Sequence, residues 1–127
     1  MKASFDYVGI RVKNLKESID FYTKLLGMKV TYKHKIEQTK GEIVNLESED
    51  GKFTLELNHY EEDSPHNTKY VVGECLDHLA FKVHDLEEAL EEARLAGHPT
   101  VYEVKTEKMK WAYIEDPNGI WIELYSQ

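Results

Sequence analysis

Phe5-Asp6-Tyr7-Val8-Gly9-Ile10-Arg11-Val12-Lys13-Asn14-Leu15-Lys16-Glu17-Ser18-Ile19 decides the fold, because it returns as Leu76-Asp77-His78-Leu79-Ala80-Phe81-Lys82-Val83-His84-Asp85-Leu86-Glu87-Glu88-Ala89-Leu90. Each copy reads as a strand followed by a capped helix. A second echo lies downstream of each: Asp50-Gly51-Lys52-Phe53-Thr54-Leu55-Glu56-Leu57 and Asn118-Gly119-Ile120-Trp121-Ile122-Glu123-Leu124, the latter one residue shorter after the glycine. Repetition at this spacing implies two similar halves, each too small to bury its own apolar face. It pairs Tyr7 with His78 and Glu56 with Glu123, so these polar residues become symmetry mates and the candidate site.

Working outward, residues 5 to 12 alternate, with Val8, Ile10 and Val12 on one face and Tyr7, Gly9 and Arg11 on the other. Asn14 caps a helix with Glu17 three residues later; Leu15, Ile19, Tyr22, Leu25 and Leu26 form its apolar stripe, and Gly27 stops it. Met28 to Tyr32 reads as a strand, and Ile43 to Leu57 as two strands around the Asp50-Gly51 turn. The second half repeats the order. Asp85 caps a helix through Leu86, Leu90, Ala93 and Leu95 that ends at Gly97 and Pro99; strands follow around Thr100 to Val104, Met109 to Glu115 and Ile120 to Tyr125, the last two joined by a turn at Asp116-Pro117-Asn118-Gly119. The expected fold is therefore α+β: two tandem β-α-β-β-β modules forming a curved mixed sheet. One domain spans 1–127, with module 1 at 1–60, a charged, breaker-rich linker at 61–75 and module 2 at 76–127.

Composition narrows the partners. A net charge of −8 repels phosphate-rich nucleic acid and anionic membrane, leaving a small-molecule ligand as the expected partner. Hydrophobic residues make up 41%, enough for a core, and no apolar run approaches the length that crosses a bilayer. Cys75 is the only cysteine, so no internal disulfide forms; with no signal-peptide core at Met1-Lys2-Ala3-Ser4-Phe5-Asp6, a cytoplasmic location is expected.

Strand alternation decides where the repeated polar residues point. Phe53, Leu55 and Leu57 should face the helices while Thr54, Glu56 and Asn58 face away; Ile120, Ile122 and Leu124 should oppose Trp121, Glu123 and Tyr125. Tyr7 and His78 join Glu56 and Glu123 on the non-helical side. Imidazole and carboxylate there would suit a divalent zinc, nickel, manganese or iron ion with places open to a substrate. A lone strand histidine is more simply a hydrogen-bonded core residue, but the two carboxylates expected on the same face favour ligation by His78. The other five histidines have no mates at repeat positions and are expected at the surface. The Glu87-Glu88 and Glu91-Glu92 pairs read as the wet face of a helix.

The repeat, together with Val12-Lys13-Asn14-Leu15-Lys16-Glu17-Ser18-Ile19-Asp20-Phe21-Tyr22, Leu76-Asp77-His78-Leu79-Ala80-Phe81 and Glu115-Asp116-Pro117-Asn118-Gly119-Ile120-Trp121-Ile122-Glu123-Leu124, resembles the glyoxalase, bleomycin-resistance and extradiol-dioxygenase superfamily of vicinal oxygen chelate proteins. Within it the chain looks most like bacterial glyoxalase I. The resemblance implies a metal held by His78, Glu56 and Glu123, with Glu123 as the first choice of catalytic base and Glu56 as the alternative. It also implies a substrate contact for Arg11 and a homodimer whose clefts are completed by modules of two chains. Where the family carries a first-strand histidine this chain has Tyr7, whose phenol, with an ordinary pKa of about 10, is expected to hydrogen-bond a ligand rather than bind metal. Loss of that histidine argues against the dioxygenase and fosfomycin-resistance branches. Trp121, with Tyr125, Trp111 and Tyr113, is expected to line the pocket. Two functions follow from the resemblance: a metal-dependent lyase or isomerase acting on an α-oxygenated carbonyl or hemithioacetal through an enediolate, or a metal-free small-molecule-binding protein of the bleomycin-resistance type.

Overall fold

A computed structural model of the chain describes residues 1–25, 27–71, 74–115 and 121–126. Its elements run β1 (Ala3–Arg11), α1 (Leu15–Asp20), a π-helical turn (Phe21–Leu25), β2 (Lys29–Ile36), a 3-10 turn (Glu37–Thr39), β3 (Gly41–Glu47), β4 (Thr54–Tyr60), β5 (Leu76–Val83), α2 (Leu86–Leu95), β6 (Tyr102–Lys105), β7 (Lys110–Glu115) and β8 (Trp121–Tyr125). The fold is α+β, and the β-α-β-β-β order occurs twice. The chain packs as two compact units, one of Val8–Asp77 and one of Met1–Tyr7 with His78–Gln127, so β1 begins in the second and ends in the first.

In the Val8–Asp77 unit the strands lie in the order β2-β3-β4-β1. β1 and β4 are parallel, with Val8 beside Leu55 and Arg11 beside Asn58, and β3 runs antiparallel to both β4 and β2. The other unit repeats this pattern as β6-β7-β8-β5, with β5 and β8 parallel and the remaining pairs antiparallel. A parallel pair cannot be closed by a hairpin; it needs a longer connection, supplied in each module by a helix and two strands.

Both helix starts follow the sequence signals. The Asn14 side chain accepts from the Glu17 backbone N–H at 3.0 Å, and Asp85 accepts from Glu88 N–H at 2.9 Å. Each cap satisfies one amide that the first helical turn leaves without a carbonyl and is worth about 1 kcal/mol. Leu86, Ala89, Leu90 and Ala93 form the buried stripe of α2; of these, Leu86, Ala89 and Leu90 pack with Val83, Ala112, Leu124, Phe81, Ile114 and Ile122. In the Val8–Asp77 unit, Leu15, Ile19 and Tyr22 cover a core of Val12, Val44, Leu46 and Leu57, with Ile10, Met28 and Leu55 at its margin.

Three expectations are corrected. The first helix does not stay α-helical to its end: it widens into a π turn at Phe21–Leu25, where the Thr23 hydroxyl donates to the Ile19 carbonyl at 2.7 Å. Such back-bonding competes with the regular amide ladder and bends a helix. Gly27, at φ +72°, still ends it, while the stripe residue Leu26 and the Leu25 side chain lie outside the described residues. The strand expected at Met28 to Tyr32 reaches Ile36, because Tyr32, Lys33, His34 and Lys35 pair with β3 although most of β2 is exposed. Phe53 precedes β4 and is 71% exposed, whereas Leu55 and Leu57 do face the helix. The turn expected at 116–119 falls outside the described residues. Among the described residues no helix is long and apolar enough to cross a membrane.

Candidate active site

In an antiparallel or parallel pair, residues in register share a face. In the unit containing β5 to β8, His78 is beside Trp121, and Tyr113 is beside Glu123, while Ala112 and Leu124, in register with each other, enter the helix-covered core. The non-helical face is therefore polar and aromatic, as alternation requires. At its centre is Glu123, 7% exposed, next to His78, 1% exposed.

The contacts of Glu123 define the site. Tyr7 donates its hydroxyl to Oε1 at 2.9 Å, and Tyr113 donates to Oε2 at 3.2 Å. His78 Nε2 lies 3.1 Å from the same Oε2. The Tyr113 hydroxyl in turn accepts from Trp111 Nε1 at 3.1 Å, so its own proton is directed to the carboxylate. Charge-assisted bonds of this kind are roughly twice as strong as neutral ones and fix both oxygens of the carboxylate. The Tyr7 and Tyr113 rings meet the His78 ring edge-on, at centroid separations of 5.8 and 5.6 Å and interplanar angles of 83° and 80°. The imidazole is thus held on two sides by aromatic rings and on a third by a carboxylate.

An aromatic wall extends the site. Trp121 stacks on Tyr102 at 6.2 Å and 21°, and its ring centroid is 5.0 Å from that of Tyr113. The sequence expectation of Trp121 as a lining residue names a half-buried side chain next to this carboxylate network. Tyr7, His78, Glu123 and Trp121 are thus brought into one unit, while Glu56 and Arg11 lie in the other. Glu56 is 5% exposed. Arg11 donates from Nη1 to the Thr68 hydroxyl at 2.8 Å and places its guanidinium 5.2 Å from the Tyr70 ring centroid, both partners belonging to the segment between β4 and β5. Tyr113 as a direct partner of Glu123, and Tyr102 as a wall residue, were not singled out by those roles in the sequence. Their signal is the spacing that puts Trp111 and Tyr113 on the face opposite Ala112, which becomes decisive only with the register of β7 on β8.

The sequence that folds into this duplicated topology matches a known family. The profile of the glyoxalase/bleomycin resistance protein/dioxygenase superfamily fits residues 4–124. The chain belongs to that superfamily. Among superfamily relatives, the lactoylglutathione lyase of Escherichia coli O157:H7 is 33% identical, covering 93% of this chain and 88% of its own length. The lactoylglutathione lyase of Neisseria meningitidis is 32% identical, over 90% of this chain and 83% of the relative. The methylmalonyl-CoA epimerase of Mycobacterium tuberculosis shares the fold, with a TM-score of 0.81 at 24% identity over 96% of this chain and 86% of that one.

Whether this superfamily member's residues suit a metal ion is tested by the donor set. Ligands adjacent on an ion, at bonds of about 2.1 Å, stand about 3.0–3.4 Å apart. His78 Nε2 and Glu123 Oε2, at 3.1 Å, fit as such a pair. Among the described residues no three His, Cys, Asp or Glu side chains gather within reach of one ion. The Tyr7 phenol donates to the other carboxylate oxygen, Oε1, at 2.9 Å, so it orients Glu123.

Proposed function

We propose that the chain is a lyase or isomerase of the glyoxalase type, acting on an α-oxygenated carbonyl or hemithioacetal, with Glu123 as the proton carrier. The observation that carries this is the buried His78–Glu123 pair at 3.1 Å with a phenol on each carboxylate oxygen. The identity with lactoylglutathione lyases over nearly the whole chain supports the same reading. A divalent nickel, zinc, manganese or iron ion held by His78 and Glu123 would stabilise the negative charge that develops on substrate oxygens.

The chain's own residues supply the rest. Glu123 takes the carbon-bound proton of the hemithioacetal at a carboxylate oxygen, leaving an enediolate, and returns that proton to the neighbouring carbon, while the hydroxyl proton passes from the oxygen of the thiol-bearing carbon to the oxygen of its neighbour; the product is the isomeric hydroxy thioester, with no atom gained or lost. Tyr7 and Tyr113 hold the two oxygens so that the carboxylate meets the substrate in one orientation. The Trp111 N–H keeps Tyr113 pointing its proton at Glu123. Trp121 and Tyr102 provide an apolar wall that limits water at the reacting carbon.

The test is turnover of hemithioacetals formed from a 2-oxoaldehyde and a panel of thiols, followed as thioester appearance. The expected result is saturable turnover that a chelator stops and one of the four metals restores. No turnover with any thiol sinks the reading. The Trp121–Tyr102 stack beside a buried carboxylate favours a second reading, a metal-free binder of flat or cationic molecules. Tight binding of an organic cation by chelator-treated protein, without turnover, is the outcome that selects it.

A further inference from the structure

The non-helical face of the Val8–Asp77 unit carries a polar constellation of its own. Asn45 on β3 is in register with Glu56 on β4, and Asn58, two residues further along β4, is in register with Arg11. Their neighbours Leu46 and Leu57 enter the helix-covered core, so Asn45, Glu56 and Asn58 share the opposite face. Asn58 is 2% exposed. Its Nδ2 donor and the Oδ1 acceptor of Asn45 are both buried without a hydrogen-bond partner among the described residues.

A buried donor or acceptor left unmet costs about 1–3 kcal/mol, and folded proteins seldom keep one without a reason. Here there are two, of opposite sense, on adjacent strands. A metal ion serves no donor. A carboxylate would accept from Asn58, but it offers nothing to the Asn45 oxygen and is repelled by Glu56 if that side chain is ionised. Diagonal positions on an antiparallel pair stand about 7–8 Å apart, far for the single oxygen of a hydroxyl to serve both. A secondary amide presents a carbonyl oxygen and an N–H on one rigid plane, pointing in opposite directions, and carries no charge.

We infer that this face is a binding subsite for a secondary amide of the ligand, with Asn58 Nδ2 donating to its carbonyl oxygen and Asn45 Oδ1 accepting its N–H. The subsite deepens the proposed function, and rests on it only in placing the amide on the thiol half of the substrate. Thiols that bear amides are of pantetheine type or of peptide type, and the same donor and acceptor would read either.

The experiment titrates the purified protein with S-methyl-N-acetylcysteamine and with its ester counterpart, 2-(methylthio)ethyl acetate, observing the side-chain amide signals of Asn45 and Asn58 by NMR. Neither thioether can react, so binding is read apart from catalysis. The expected result is saturable movement of both signals with the amide, affinity about tenfold weaker for the ester, as loss of the hydrogen bond from the N–H to Asn45 implies, and disappearance of that preference in Asn45→Leu. Equal binding of amide and ester in the parent protein, or no movement of the Asn58 signal, overturns the inference without reference to any variant. S-methylpantetheine and S-methylglutathione form further arms, and the one that moves both signals at lower concentration identifies the source. Discrimination of amide from ester without hemithioacetal turnover keeps the subsite and loses the lyase. Turnover without discrimination loses the subsite alone.

Discussion

Replacing Glu123 by Gln lowers kcat for hemithioacetal isomerisation by about 10²- to 10⁴-fold, the range a positioned acid-base group supplies. Glutamine keeps the length and shape of the side chain but has no oxygen basic enough to take a carbon-bound proton. It also puts an amide NH2 against either the Tyr7 hydroxyl or the Tyr113 hydroxyl and His78, so one partner loses its acceptor. Because the interaction lost belongs to the transition state, kcat and kcat/KM should fall together. Parental turnover in Glu123→Gln would remove Glu123 from the chemistry.

The second large effect is on stability. Leu57 is fully buried on β4, in contact with a core of Val12, Val44 and Leu46. Leu57→Ala is expected to cost about 2–5 kcal/mol, the transfer free energy of the lost atoms together with that of the cavity they leave. At the urea sensitivity usual for small proteins, about 1–3 kcal/mol per molar, this lowers the unfolding midpoint by roughly 1 M or more. A midpoint unchanged within error would mean that the two flanking polar residues, Glu56 and Asn58, do not owe their shared orientation to Leu57 anchoring β4. The prediction thus links the packing on one side of the strand to the polar face on the other.

The duplicated strand-helix stretch made the fold legible, because a repeat of that length carries its own register: β5 begins at Leu76 with its copy, β1 runs from Ala3 through the start of the other copy, and both helices start at the caps Asn14 and Asp85. Alternation placed Glu123 and His78 on the face opposite the helix-packed Leu124 and Phe81. What stayed hidden depended on distances along the chain that periodicity does not encode. The Tyr113–Glu123 bond requires β7 and β8 to pair with Tyr113 beside Glu123, a register that alternation within either strand does not state. The π turn after α1 keeps the apolar stripe of Ile19 and Tyr22 in the core while changing the ladder beneath it. β2 was read short because Lys33, His34 and Lys35 carry no apolar alternation, their strand conformation coming from pairing with Val44, Ile43 and Glu42. Tyr7 was expected to meet a ligand, and its hydroxyl also donates to Glu123. A phenol can reach a carboxylate on the same face as readily as a guest, and the sequence contains nothing that separates the two.

The account turns on His78 and Glu123 holding a catalytic divalent ion, and elemental analysis of the protein purified without chelator or affinity tag tests this most directly. The predicted result is near-stoichiometric nickel, zinc, manganese or iron in the parent and its loss in His78→Ala. Metal-free parent protein that isomerises hemithioacetals at full rate would contradict it.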